Sequence, residues 1–83
     1  MEIVLLPRAE EDLAFWKKTG NVRIMKRITA LLIDIQQHPF TGIGKPEPLK
    51  GEQHGLWSRR ITGEHRLVYS ISSEKIYVYV LSM

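Results

Sequence analysis

The spacing of apolar residues changes once along this chain, and that change limits the folds open to it. In the first half they recur at helical intervals: Ala9, Leu13 and Trp16, then Ile24, Ile28, Leu31 and Ile35. After residue 55 they come in short β-branched and aromatic runs at 56–62, 65–71 and 76–81. A helix gathers such residues at a period of 3.6 and a strand at 2, so neither half suits the other's structure. Ahead of the helices, Ile3-Val4-Leu5-Leu6 reads as a buried strand.

The boundaries carry their own signals. Pro7 fits the first turn of a helix, where a missing N–H costs nothing. Gly20 can stop that helix in a left-handed conformation, and Asn21 can cap the next. Met25 and Leu32 widen the second stripe, while Arg23, Lys26, Arg27 and Asp34 fall largely off it. Pro39 ends the second helix. Residues 39–55 then hold three of the four prolines and four of the six glycines, which predicts a long, stiff loop. Gly63-Glu64 predicts a two-residue hairpin turn, and residues 72–75 a second turn. The expected architecture is α+β: two N-terminal helices on one face of a small, mostly antiparallel sheet, in the order β-α-α-β-β-β. The opposite sheet face is then partly open. At 83 residues the chain has room for one domain, 1–83.

Composition removes several classes of chemistry. There is no cysteine, hence no disulfide, thiolate nucleophile or zinc–thiolate site. The apolar runs are far shorter than a membrane span. The N-terminus lacks the basic start and cleavage site of a secretory leader, so the chain reads as cytoplasmic with no membrane partner. A net charge of +3 and a pI near 9.5 favour an anionic partner. A core this small is compatible with a homodimer or another partner that covers apolar surface.

The polar residues of the second half are unevenly placed. Lys45, Glu47 and Lys50 lie in the stiff loop, Arg59 and Arg60 on the next strand, and Arg66 on the one after. With a two-residue turn, 59 pairs with 68 and 61 with 66, which puts Arg59, Arg66 and Trp57 on one side. A one-residue bulge instead groups Arg60 with Arg66. The apolar set Ile61, Leu67, Tyr69 and Ile71 favours the bulge, the turn chemistry favours the other register, and both stay open. Either way a carboxylate and several cations gather on the open face. Two cations suit a phosphodiester, whose oxygens they hold while negative charge builds on phosphorus. A carboxylate can take the proton from a ribose 2′-hydroxyl, which then attacks that phosphorus without a metal. Such chemistry selects RNA over DNA. The competing reading is a solvated charged face, with Trp57 as a core or sheet-edge residue rather than a base-stacking platform. His38, His54 and His65 show no metal-ligand spacing, and no cofactor or metal site is expected.

Three blocks carry a resemblance: Gly44-Lys45-Pro46-Glu47-Pro48-Leu49-Lys50, Leu56-Trp57-Ser58-Arg59-Arg60-Ile61-Thr62 and Glu64-His65-Arg66-Leu67-Val68-Tyr69. In this order and spacing, with His38-Pro39-Phe40-x-Gly42 ahead of them, they resemble the Txe/YoeB family of the RelE-like toxin superfamily. The resemblance covers essentially the whole chain. It implies the RelE-like microbial RNase fold and the toxin role in a type II toxin–antitoxin system. It implies an mRNA interferase that enters the ribosomal 30S A site, with a cognate antitoxin as protein partner. By the same resemblance Glu47 is the general base and Arg66 the phosphate-stabilising arginine. Lys45, Lys50, Trp57, Arg59 and Arg60 are expected to contact RNA and the ribosome.

Members of the family carry a short C-terminal tail with a His-Tyr pair, the histidine acting as general acid. Val80-Leu81-Ser82-Met83 offers no residue that maps to either. The expectation is therefore an attenuated nuclease. The alternative is a catalytically inactive module that binds antitoxin or RNA.

Overall fold

The computed structural model describes residues 1–51 and 55–82, so His54 lies outside the described residues. The elements are β1 (Glu2–Leu5), α1 (Pro7–Thr19), α2 (Val22–Gln37), β2 (Glu47–Pro48), β3 (Trp57–Arg60), β4 (Arg66–Ser72) and β5 (Lys75–Val80). The five strands form one sheet in the order β1-β5-β4-β3-β2. Only β1 and β5 run parallel, and the other neighbours are antiparallel. The expected α+β order holds, with one strand added: β2, inside the segment expected to be loop.

Local chemistry sets the helix boundaries. Pro7 opens α1. Gly20 closes it at φ 70°, with its N–H on the Lys17 carbonyl and the Asn21 N–H on the Trp16 carbonyl. A side chain in that conformation is disfavoured, so glycine makes the stop efficient. The Asn21 side chain then accepts the Ile24 N–H at 3.2 Å and starts α2. Ile24, Ile28, Leu31 and Ile35 all bury against the sheet, as their spacing requires. They meet Leu67, Tyr69, Ile76 and Val78 from the inner strand faces, and Ile61 just past the end of β3. Full burial of a Leu or Ile side chain contributes about 1.5–3 kcal/mol, so this stripe is a main source of stability.

The end of β5 is tied to α1. The Leu81 N–H donates to Asp12 Oδ2 at 2.9 Å, and its carbonyl accepts the Trp16 indole N–H at 3.1 Å. Asp12 thus joins the first helix to the chain just past the last strand. Among the described residues no helix is long and apolar enough to cross a membrane.

Two expectations change. The run Ile3–Leu6 was read as buried, yet β1 is an edge strand with half-buried side chains, because β5 and β4 take the inner positions. The Gly63-Glu64 turn is replaced by a longer connection over 61–65, since strand pairing stops at Arg60 and Arg66. The Thr62 hydroxyl organises it by accepting the N–H groups of Glu64 and His65 at 3.1 and 3.0 Å. Gly63 does not adopt the left-handed backbone that a tight turn would need.

The tight turn occurs instead between β4 and β5. Ser72 pairs with Lys75, leaving Ser73 and Glu74 at φ 51° and 60°. Neither residue favours that region, whereas Asn-Gly does. Substituting both (Ser73→Asn with Glu74→Gly) is expected to stabilise the fold by about 1 kcal/mol. Thermal melts check it, and an unchanged or lower Tm would show that the turn is not strained.

Candidate functional site

Glu47 reaches the sheet because β2 pairs with β3: Glu47 lies opposite Ser58, and Pro48 opposite Trp57. The row continues through Val68 on β4 to Val80 on β5. These residues share the face turned away from the helices, since Leu67 and Tyr69 on either side of Val68 are in the core. Ser58 and Val68 are covered and form the floor of this face. One pleat further along, Arg60 lies directly opposite Arg66. The bulge-type grouping of Arg60 with Arg66 is therefore the one adopted.

Glu47 and Arg66 thus sit on one surface, two strands and one pleat apart. Strand spacing and rise put their Cα atoms roughly 12 Å from each other. Two long side chains can close on a phosphodiester held between them. Arg66 leans this way, with Nη1 3.4 Å from Ser58 Oγ.

The Arg60–Arg66 pair is electrostatically costly. Like charges directly opposite on a sheet repel. No ion pair among the described residues involves Arg60, Arg66 or Glu47. Two arginines at facing positions, with no ion-pair partner among the described residues, suit an anion from outside. Replacing Arg66 by Gln is expected to leave Tm unchanged or raise it by a few degrees at low salt, the gain shrinking as salt screens the pair. Melts at two ionic strengths check this, and a marked loss of Tm would mean that Arg66 holds the fold.

Arg59 corrects the expectation that it contacts RNA. Its relative exposure is 0%, and it points into the helix side of the sheet with Ile61, Leu67 and Tyr69. All five of its N–H donors have acceptors. Nη1 serves Asp34 Oδ2, in an ion pair, and the Ile43 carbonyl at 3.1 Å. Nη2 serves the carbonyls of His38 and of Thr41, the latter at 2.8 Å. Nε lies 3.3 Å from the Tyr69 hydroxyl, which donates onward to the Pro39 carbonyl at 2.6 Å. Hydrogen bonding to Arg59 holds the Asp34 carboxyl below its ordinary range, against the opposing effect of burial. Burial pushes the Tyr69 hydroxyl up. Gly42, at φ 115°, closes the cluster from outside, and a Cβ there would overlap the Asp34 carboxylate.

Trp57 takes the sheet face opposite to Glu47. It lies on the helix side, half-buried against the core, with its ring 4.8 Å from that of Phe40. Lys45 and Lys50 are exposed and flank β2. The His65 ring packs edge-on against Trp16 at 4.9 Å, on the side opposite Arg66. No group of three His, Asp or Glu residues able to hold a metal occurs among the described residues. A groove of about 770 Å³ between the start of α2 and residues 61–63 includes neither Glu47 nor Arg66 in its lining. Sequence reasoning missed Asp34 and Tyr69 as the partners of Arg59. The available signal was the alternation Trp57, Arg59, Ile61 in the bulged register, which turns Arg59 inward.

Solved structures share this fold over the whole chain. A toxin YoeB of Mycobacterium bovis is 51% identical over 70 residues, covering 84% of this chain and 81% of the relative. The solved YoeB/ParE toxin from Agrobacterium tumefaciens superposes with a TM-score of 0.96 at 40% identity, covering 100% of this chain and 98% of that one. The YoeB of a YoeB–YefM toxin–antitoxin heterotetramer from Staphylococcus aureus superposes at 0.92 with 36% identity, covering 100% and 95%, and YoeB from that organism is also solved as a dimer. Residues 6–82 match the family described as YoeB-like toxin of bacterial type II toxin–antitoxin system, and the chain belongs to it.

Proposed function

We propose that this chain is a ribosome-dependent mRNA endoribonuclease that works by metal-free attack of a ribose 2′-hydroxyl. Glu47 takes the 2′-hydroxyl proton as the O2′–P bond forms. Arg66 and Arg60 neutralise the charge that builds on the phosphoryl oxygens. The P–O5′ bond then breaks and the departing oxygen takes up a proton. The products are a 2′,3′-cyclic phosphate and a 5′-hydroxyl end. Lys45 and Lys50 flank the base and hold the backbone of the message. The observation that carries this reading is the Arg60–Arg66 pair, without an ion-pair partner among the described residues, on the same face as Glu47.

The antitoxin of the Staphylococcus aureus complex supports a partner of the same kind for this chain, and the YoeB dimer supports self-association as a second assembly. The setting is cytoplasmic, where translating ribosomes are.

The test is cleavage of a message on purified ribosomes, run on this chain and on a form with His-Tyr appended after Met83. The second form supplies the general acid that the family resemblance calls for. The expected result is a cut with a 5′-hydroxyl end, abolished when the scissile nucleotide carries a 2′-deoxyribose. Cutting of that deoxy message, or equal cutting by Glu47→Gln, would sink the mechanism, and no cutting by either form would leave a binding module. A module bound through its basic face loses affinity steeply with salt.

A further inference from the structure

We propose that Arg59, Asp34 and Tyr69 are positioning residues for the Glu47 carboxylate; this rests on the reading of Glu47 as the base. β2 is a weak strand. It has two residues, and Pro46 and Pro48 have no N–H to donate. Within residues 46–49 only Glu47 and Leu49 can donate, and the Leu49 N–H reaches the Leu56 carbonyl at 2.8 Å. So short a ladder specifies its register poorly. A slip of one residue would turn Glu47 to the helix side.

The register is set upstream. Four carbonyls of the connection from α2, at residues 38, 39, 41 and 43, are held by Arg59 or Tyr69. The Ile43 N–H is held by Asp34 at 3.1 Å. The next residue, Gly44, gives its carbonyl to the Arg60 N–H at 2.7 Å. The backbone that leads into β2 is thus fastened to β3 and α2 before Glu47 is reached. The fastening residue is also well placed. Arg59 stands between Ser58, which faces Glu47, and Arg60, which faces Arg66. The same three residues of β3 clamp the loop on their inner side and carry the site on their outer side. A disturbance of the clamp therefore moves the base relative to Arg60 and Arg66, which stay on the β3–β4 ladder.

Tyr69→Phe tests this gently, because the ring still fills the core while the Pro39 carbonyl loses its donor and Arg59 Nε its acceptor. The expected result is a single-turnover cleavage rate lower by ~10- to 100-fold, the scale on which small misplacements of a reacting group act. Affinity for the ribosome should fall far less than the rate. In a Glu47→Gln background, Tyr69→Phe should cause no further loss. A purely structural role would lower the rate in both backgrounds. Independently of activity, hydrogen exchange at the Leu49 amide should accelerate in Tyr69→Phe, while the amides of the β4–β5 ladder keep their protection. Undiminished cleavage, a loss that persists without Glu47, or unchanged Leu49 exchange overturns the proposal. If Glu47→Gln itself cuts at the parent rate, the reading of Glu47 as base fails, and the Leu49 exchange still decides whether the clamp sets β2.

Discussion

Glu47→Gln is expected to fold and to occupy the ribosome like the parent while cutting the message ~10²- to 10⁴-fold more slowly, the usual range for losing a general acid or base. The fold should tolerate the change. Glu47 is exposed, its pairing with Ser58 is a backbone matter, and none of the ion pairs among the described residues involves it. Surface substitutions of this kind usually stay within about 0.5 kcal/mol. Glutamine keeps the size and an acceptor oxygen but cannot take up the hydroxyl proton. The comparison therefore separates chemistry from folding and from binding. Three measurements carry it: the Tm, the affinity for ribosomes and the single-turnover rate. A fall in rate alone is the expected pattern. If the rate and the affinity fall together, the carboxylate holds RNA rather than a proton.

The largest loss of stability is expected from Asp34→Asn. The amide is close in shape and can still accept from Ile43, yet it leaves the Arg59 guanidinium with no counter-charge at 0% exposure. Removing one partner of a buried ion pair costs about 3–5 kcal/mol, and because the Asp34 side chain keeps 19% exposure the loss lies at the low end, about 3 kcal/mol. For a domain of this size that is a Tm lower by roughly 12–24 °C. Restoring neutrality with Arg59→Met should not rescue it. The carbonyls of His38, Thr41 and Ile43 would then lose their donor as well. The pH dependence has a defined sign. The carboxyl of Asp34 ionises more readily in the folded chain than in the unfolded one, chiefly through its hydrogen bond to Arg59. Its contribution is complete above the ordinary carboxylate range and is lost as pH falls through the lowered folded value. The parent should therefore lose stability on acidification more steeply than Asp34→Asn. Urea melts between neutral pH and pH 3 read that slope. Equal slopes would show that the pair does not link folding to protons.

Much of the fold could be read from local rules. The helical stripe of α2, the caps at Pro7, Gly20 and Asn21, and the β order of the second half follow from spacing and backbone preference, and neighbouring residues are enough to express them. The three motif blocks led to the family in the same way, and residues 6–82 match it. The position of β1 at an edge could not be read, because an apolar run says that a strand is covered but not which strands flank it.

The site divides along the same line. That Glu47, Arg60 and Arg66 are chemically suited to an RNA phosphodiester was legible from residue type. Which arginine turns outward was not, because side-chain direction on a strand reverses with a shift of one residue, and the register was open to both readings. The amino-acid order alone determined the two helices with their boundaries, the order of the longer strands and the family. Only the tertiary structure decided that Arg59 goes inward and Arg60 outward. A buried guanidinium is tolerable only where enough acceptors converge on it, and here they come from Asp34, Tyr69 and a loop distant in sequence, which no local pattern brings together.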